Sequence, residues 1–181
     1  TMPDIVLGTN KENIGIVWAD SARKLKAEDS LKDKLNTLGI SGAIYNIESG
    51  TMSKEINFVS DDEINFVSDK DKYKYKYKYF NLAPQVSMVD DKIYVSYMAR
   101  DIESVTKDED ILDVTGLYST MVTVGYDMTA KEVIPKDFVD IKHPAIEDPL
   151  TMDYNTLTSK IGDNTYTLAT YTVDTDGTID T

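Results

Sequence analysis

The stretch PDIVLGTNKENIGIVWAD, residues 3–20, is echoed at 84–101 by PQVSMVDDKIYVSYMARD. An apolar run, a polar break and a second apolar run ending in an aromatic residue predict two strands joined by a turn. In the first copy, Asp4–Leu7 and Ile14–Trp18 flank a break at Thr9–Asn13. In the second, the break is Asp90–Lys92, and Tyr97 stands for Trp18. Residues 158–174, TSKIGDNTYTLATYTVD, read as a third copy, turning at Gly162–Asn164 with Tyr171 in the aromatic place. This recurrence limits the possible folds sharply. A two-stranded hairpin cannot hide its apolar side alone, so repeated hairpins must acquire further strands or stack on one another.

The likeness extends past the first hairpin. ISGAIYNIESGTMSKEI at 40–56 matches YSTMVTVGYDMTAKEV at 118–133, with Lys54 of Ser-Lys-Glu-Ile set against Lys131 of Ala-Lys-Glu-Val. Each predicts an alternating strand, a turn and another strand. Between the halves of copy one lies AEDSLKDKLNTLG, 27–39. Leu31, Leu35 and Leu38 fall on one helical face, Glu28 and Lys32 are spaced to pair, and Gly39 is placed to stop a helix, so a helix is expected over 27–38. In copy two, 103–113 is acidic and reads as a loop or one short helix. The unit is therefore strand–strand–insertion–strand–strand. It divides the chain into a first repeat, 1–69, a second repeat with the Lys/Tyr strand, 70–140, and a linker with an incomplete third repeat, 141–181. The expected fold class is all-β, built from four-stranded antiparallel blade-like units, as in part of a β-propeller. A β-sandwich of the same strands is the alternative.

IGIVWADS…ISGAIYNIESGTMSKEINFVSDD and IYVSYMARD…YSTMVTVGYDMTAKEV resemble the blade repeats of large propeller-type surface proteins of bacteria. In those repeats an inner strand ends in V-W-x-D and a later strand reads I-Y-(D/N). The resemblance covers most of the chain and implies architecture rather than chemistry. It implies a fragment of a larger propeller, or chains that associate to complete the fold, and an extracellular or cell-surface location.

Composition leans towards β structure. Tyrosine outnumbers phenylalanine twelve to four, and tyrosine and threonine favour pleated, half-buried surfaces. The chain is long enough to bury roughly 70% of its unfolded surface without a staple. It has no cysteine, which excludes disulfides, thiol catalysis and cysteine-based zinc sites. Its one histidine, His143, lies in the linker-like IKHPAIEDPL and has no metal partner at useful spacing. A net charge of −13 argues against nucleic acid. There is no apolar run of membrane-spanning length, and Thr1–Met2–Pro3 opens no signal peptide.

Four features carry possible chemistry. Residues 55–80, EINFVSDDEINFVSDKDKYKYKYKYF, repeat EINFVSD and then alternate lysine with tyrosine. Period two predicts a strand with Lys74, Lys76 and Lys78 on one face and Tyr73, Tyr75, Tyr77 and Tyr79 on the other. That strip is either a packed strand with solvated lysines or a cationic surface for a glycan, cell-wall polymer or acidic protein module. Trp18 and Tyr97, with Tyr171, read as core packing at one repeat position, with sugar stacking the other reading. VDTDGTID, 173–180, reads as an Asp-Gly turn or part of a calcium loop. In the calcium reading, Asp174, Asp176, the Thr178 carbonyl and Asp180 are the ligands. Asp20, Asp101 and Asp174 follow the aromatics and read as turn-formers, with a shared glycosidase channel the other possibility. No nucleotide, zinc-protease or serine-hydrolase motif occurs. The expected function is a non-catalytic extracellular binding or structural module. Part of a glycan-active propeller enzyme and an assembly subunit with exposed strand edges are the alternatives.

Overall fold

The computed structural model describes residues 5–21, 24–35, 37–59, 64–66, 75–77, 79–101, 119–140 and 150–174. They are mostly strand. The first sheet is made of β1 (Ile5–Thr9), β2 (Asn13–Ser21), β3 (Leu38–Asn46), β4 (Thr51–Met52) and β5 (Ile56–Asn57), in the order β1-β2-β3-β4 with β5 also on β3. A short ladder joins β6 (Ile64–Phe66) to β7 (Tyr75–Tyr77). The second sheet holds β8 (Tyr79–Val89), β9 (Lys92–Asp101), β10 (Ser119–Asp127) and β11 (Glu132–Asp140), in sequence order. A last hairpin pairs β12 (Leu150–Ile161) with β13 (Asn164–Asp174). Among the described residues every pairing is antiparallel, and none of the sheets closes into a barrel.

The two large sheets repeat each other in register. Trp18 faces Ser41 where Tyr97 faces Val122, and Asn13 faces Asn46 where Lys92 faces Asp127. Thr9 opposite Ile14 corresponds to Met88 opposite Ile93. The fourth strand agrees as well. Asn46 and Thr51 close one turn as Asp127 and Glu132 close the other. Gly42 faces Ile56 where Thr123 faces Asp137, so β4 and β5 together are the counterpart of β11. The register shift beside Gly125 falls where β4 gives way to β5.

Register corrects three expectations. Counted from its turn, the third hairpin places Ala169 where Trp18 and Tyr97 stand, and Tyr171 lies two positions further along. Two steps keep a residue on the same face, so matching by aromatic type picked the right side and the wrong rung. Lys131 corresponds to Gly50 rather than to Lys54, because the Ser/Ala-Lys-Glu match slipped over the turn. The expected helix over 27–38 is only α1 (Leu31–Leu35). Ser30 starts it by accepting a 3.0 Å hydrogen bond from the Asp33 amide. Its end is set by the sheet: Leu38 and Gly39 are already in β3, opposite Ser21 and Asp20. Glu28 precedes the helix, so its spacing to Lys32 gives no helical pair.

The sheets stack with one polarity. Let the face bearing Trp18 and Tyr97 be the back. A β-carbon added to Gly8 or Gly15, on the front of the first sheet, would lie 3.2 Å from Val86 or 2.5 Å from Ile93, on the back of the second. Between these faces lies the main core. Val17, Ile40 and Phe58 meet Ile93, Val95, Tyr97, Val122 and Val124, all at most 1% exposed. Burying each side chain of this kind contributes about 1.5–3 kcal/mol. The front of the second sheet carries Met98 and Met121, which pack against Ala169 on the back of the third hairpin. There the Thr158 amide also donates to Ser87 Oγ at 3.0 Å, and Thr158 is buried. Front meets back twice in succession.

Candidate functional site

In a meander of four strands, the first and third turns fall at the same end of the sheet. The register-matched sheets stack face to face, so four turns converge. They frame an open groove of about 1180 Å³. The first sheet contributes Asn10–Asn13, Asn46 and 51–56, and the second contributes Asp90, Asp91, Tyr126, Met128, Thr129 and Lys131.

Each turn is fixed by short side-chain bonds. Asn10 Oδ1 accepts from the amides of Glu12 and Asn13 at 2.9 and 2.7 Å. Its Nδ2 donates to the Asp90 carbonyl at 2.8 Å, tying the first sheet's turn to the second's. Asn46 Oδ1 accepts from the Ser49 amide and hydroxyl, both at 2.8 Å, and Asn46 Nδ2 donates to Asn13 Oδ1 at 3.0 Å. In the matching turn, Asp127 Oδ1 accepts from the amides of Thr129 and Ala130, both at 2.8 Å. Adjacent turns are clipped in the same way in each sheet. The Ile47 amide donates to the Glu12 carbonyl at 2.9 Å, and the Met128 amide to the Asp91 carbonyl at 2.9 Å.

The groove mixes charges of both signs. Lys11, Lys54 and Lys131 stand with Glu12, Glu55, Asp90 and Asp91. Lys92 approaches Asp91 at 3.2 Å and Asp127 at 3.6 Å. Hydrogen bonds from Lys92 and then Thr129 hold the Asp91 carboxyl below the usual carboxylate range, and the bond to Asp91 raises Lys92. Lys160 of the third hairpin reaches Asp90 at 2.9 Å. Amides, hydroxyls, charges and the half-buried ring of Tyr126 line the groove. Among the described residues, no three His, Asp or Glu side chains are grouped to hold a metal.

The residues singled out in the sequence do not converge here. Tyr97 is fully enclosed in the core, so its ring offers no face to a sugar. Trp18 is half-buried on the back of the first sheet. Lys76 lies in β7 opposite Asn65, while Lys74 and Lys78 lie outside the described residues. Asp174 ends β13, and Asp176 and Asp180 lie outside the described residues, as does His143. Asp20 and Asp101 are strand residues rather than turn-formers: Asp20 faces Gly39 and Asp101 faces Tyr79. Sequence reasoning passed over Asn10, Asn46, Lys54, Asp91 and Lys131. The available signal was positional, since polar breaks one sheet-length apart in a meander share an end. Among the described residues, no helix is long and apolar enough to cross a membrane. In comparisons with known proteins, no family model, curated protein or solved structure matches this chain.

Proposed function

We propose that this chain is a non-catalytic binding module of an extracellular bacterial surface protein, one stretch of a propeller-like series of blades. Its turn-framed groove holds a glycan or cell-wall polymer. The observation that carries this reading is the convergence of four register-matched turns on one polar groove. The groove is open, which suits a chain-like ligand passing through. It presents the exposed charges of Lys54, Glu55 and Lys131, which suit hydroxyls and ionised sugar substituents. The successive front-to-back packing supports the blade series, and the cysteine-free acidic composition suits a surface location.

Glycan-array screening followed by calorimetry tests this. A Lys54→Ala, Lys131→Ala double variant should weaken binding by about tenfold or more, the size of one lost hydrogen bond to a charged group. Both lysines are exposed, so the fold should be kept. No glycan or wall polymer bound above background, or equal binding by the double variant, would overturn the assignment.

A further inference from the structure

Two apolar sheet faces are left exposed by the described residues, one on the third hairpin and one on the first sheet. On the front of the third hairpin, Leu157, Ile161, Tyr166 and Leu168 are 62%, 68%, 52% and 67% exposed. They share one face, since Leu157 pairs with Leu168 and the rest follow at steps of two or across the ladder. The other is the back of the first sheet. Leu7 and Met52 are 66% and 54% exposed there, and Ile14, Ile16, Trp18 and Tyr45 are half-buried.

The repeat identifies what each face fits. Leu7, Ile14, Ile16, Trp18, Tyr45 and Met52 correspond in register to Val86, Ile93, Val95, Tyr97, Tyr126 and Val133. All six positions are apolar in both sheets. In the second sheet, Ile93, Val95 and Tyr97 are buried under the first sheet's front. In the first sheet Ser41 and Ala43, small residues between the larger ones, are buried on this face, but Leu7 and Met52 are exposed and Ile14, Ile16, Trp18 and Tyr45 only half-buried. The third hairpin, by contrast, exposes a front. Front-to-back is the packing mode used twice inside the chain.

We propose that the series of blades is continued between chains: a second copy of this chain seats the Trp18 face of its first sheet on the Leu157–Leu168 face of the third hairpin. The contact continues the internal stacking and is head-to-tail. Such a heterologous interface leaves one front and one back free at every step, so copies add into a ring or a linear stack rather than stopping at a symmetric dimer. The net charge of −13 opposes this, and salt screens that repulsion over about 8 Å at physiological ionic strength.

Light scattering and sedimentation at physiological salt test the proposal with Leu7→Glu and Leu168→Lys, both at exposed positions. Wild type should grow in mass with concentration beyond a dimer. Each variant alone should remain monomeric, since one lacks a usable back and the other a usable front. Mixed, they should form a one-to-one dimer that grows no further, because one intact front meets one intact back. That rescue also shows that both variants are folded. A monomeric wild type overturns the proposal. So does loss with Leu168→Lys but not Leu7→Glu, which would indicate front-to-front pairing.

Discussion

At the residue scale, two glycines of the first sheet sit where a side chain would collide, Gly15 with the stacked sheet and Gly42 within its own. Gly15 has room for its neighbours only because it lacks a side chain, since an added carbon would sit 2.5 Å from Ile93 Cδ1. That atom is the end of a flexible side chain and can turn away. Gly42 is tighter in kind, with the Ile16 carbonyl oxygen at 2.8 Å and the Phe58 ring at 2.9 Å. A backbone oxygen cannot move without disturbing the ladder. Gly42→Ala should therefore lower stability by about 1–3 kcal/mol, and Gly15→Ala by less, as read from urea unfolding. The opposite order would mean that the ladder yields more easily than the core. At the groove, the depressed Asp91 carboxyl ties stability to pH. Its contribution is present above the ordinary value of 3.8 and is lost as pH falls through the lowered folded value. The stability gap between wild type and Asp91→Asn should thus narrow in acid, and a carboxyl titration by NMR should place Asp91 below 3.8. None of this was legible in the sequence, where a glycine in a strand signals close approach without naming the neighbour.

At the element scale, the matched turns after β3 and β10 use the same backbone with different residues. Gly50 has φ +66 and Lys131 has φ +58, each donating its amide to the strand-end carbonyl, Asn46 or Asp127. A left-handed conformation costs a residue with a β-carbon roughly 1–2 kcal/mol. Gly50→Ala should lower stability by about 1 kcal/mol. Lys131→Gly should raise it by less, because glycine gains entropy in the unfolded chain. Denaturant midpoints of the two variants check both signs, and a stabilising Gly50→Ala would contradict the turn geometry. Element type and order were readable: apolar runs such as Ile14–Trp18 predicted strands, and the polar breaks at Thr9–Asn13 and Asp90–Lys92 predicted turns. Register was not. Lys54 was set against Lys131 because similar residues flank two turns at different depths, and only the ladder resolves that slip. Helix α1 was over-read for a related reason. Leu38 has helical spacing from Leu31 and Leu35, yet its backbone is taken by the pairing with Ser21.

At the scale of the whole molecule, recurrence in the sequence implied stacking, but not its direction. Direction depends on which face of each sheet is apolar on both sides of a contact, and strands buried on two faces show little alternation. In β9, Ile93, Val95, Tyr97 and Ala99 face the first sheet while Ser96 and Met98 face the third hairpin. The equivalence of Trp18 and Tyr97 therefore has an energetic consequence. The two rings hold the same topological place, but Tyr97 is fully buried and Trp18 only half-buried. Tyr97→Ala should cost about 3–5 kcal/mol, as for other fully buried aromatic truncations. Trp18→Ala should cost clearly less in dilute solution, despite removing a larger ring, because part of that ring is already in water. Urea unfolding at low protein concentration compares the two directly. As concentration rises, wild type should gain stability by mass action while Trp18→Ala does not, since anything that covers the Trp18 face stabilises the folded chain. Equal costs at every concentration would mean that the first sheet's back is as fully packed as the second's, and the polarity of the stack would have no open end.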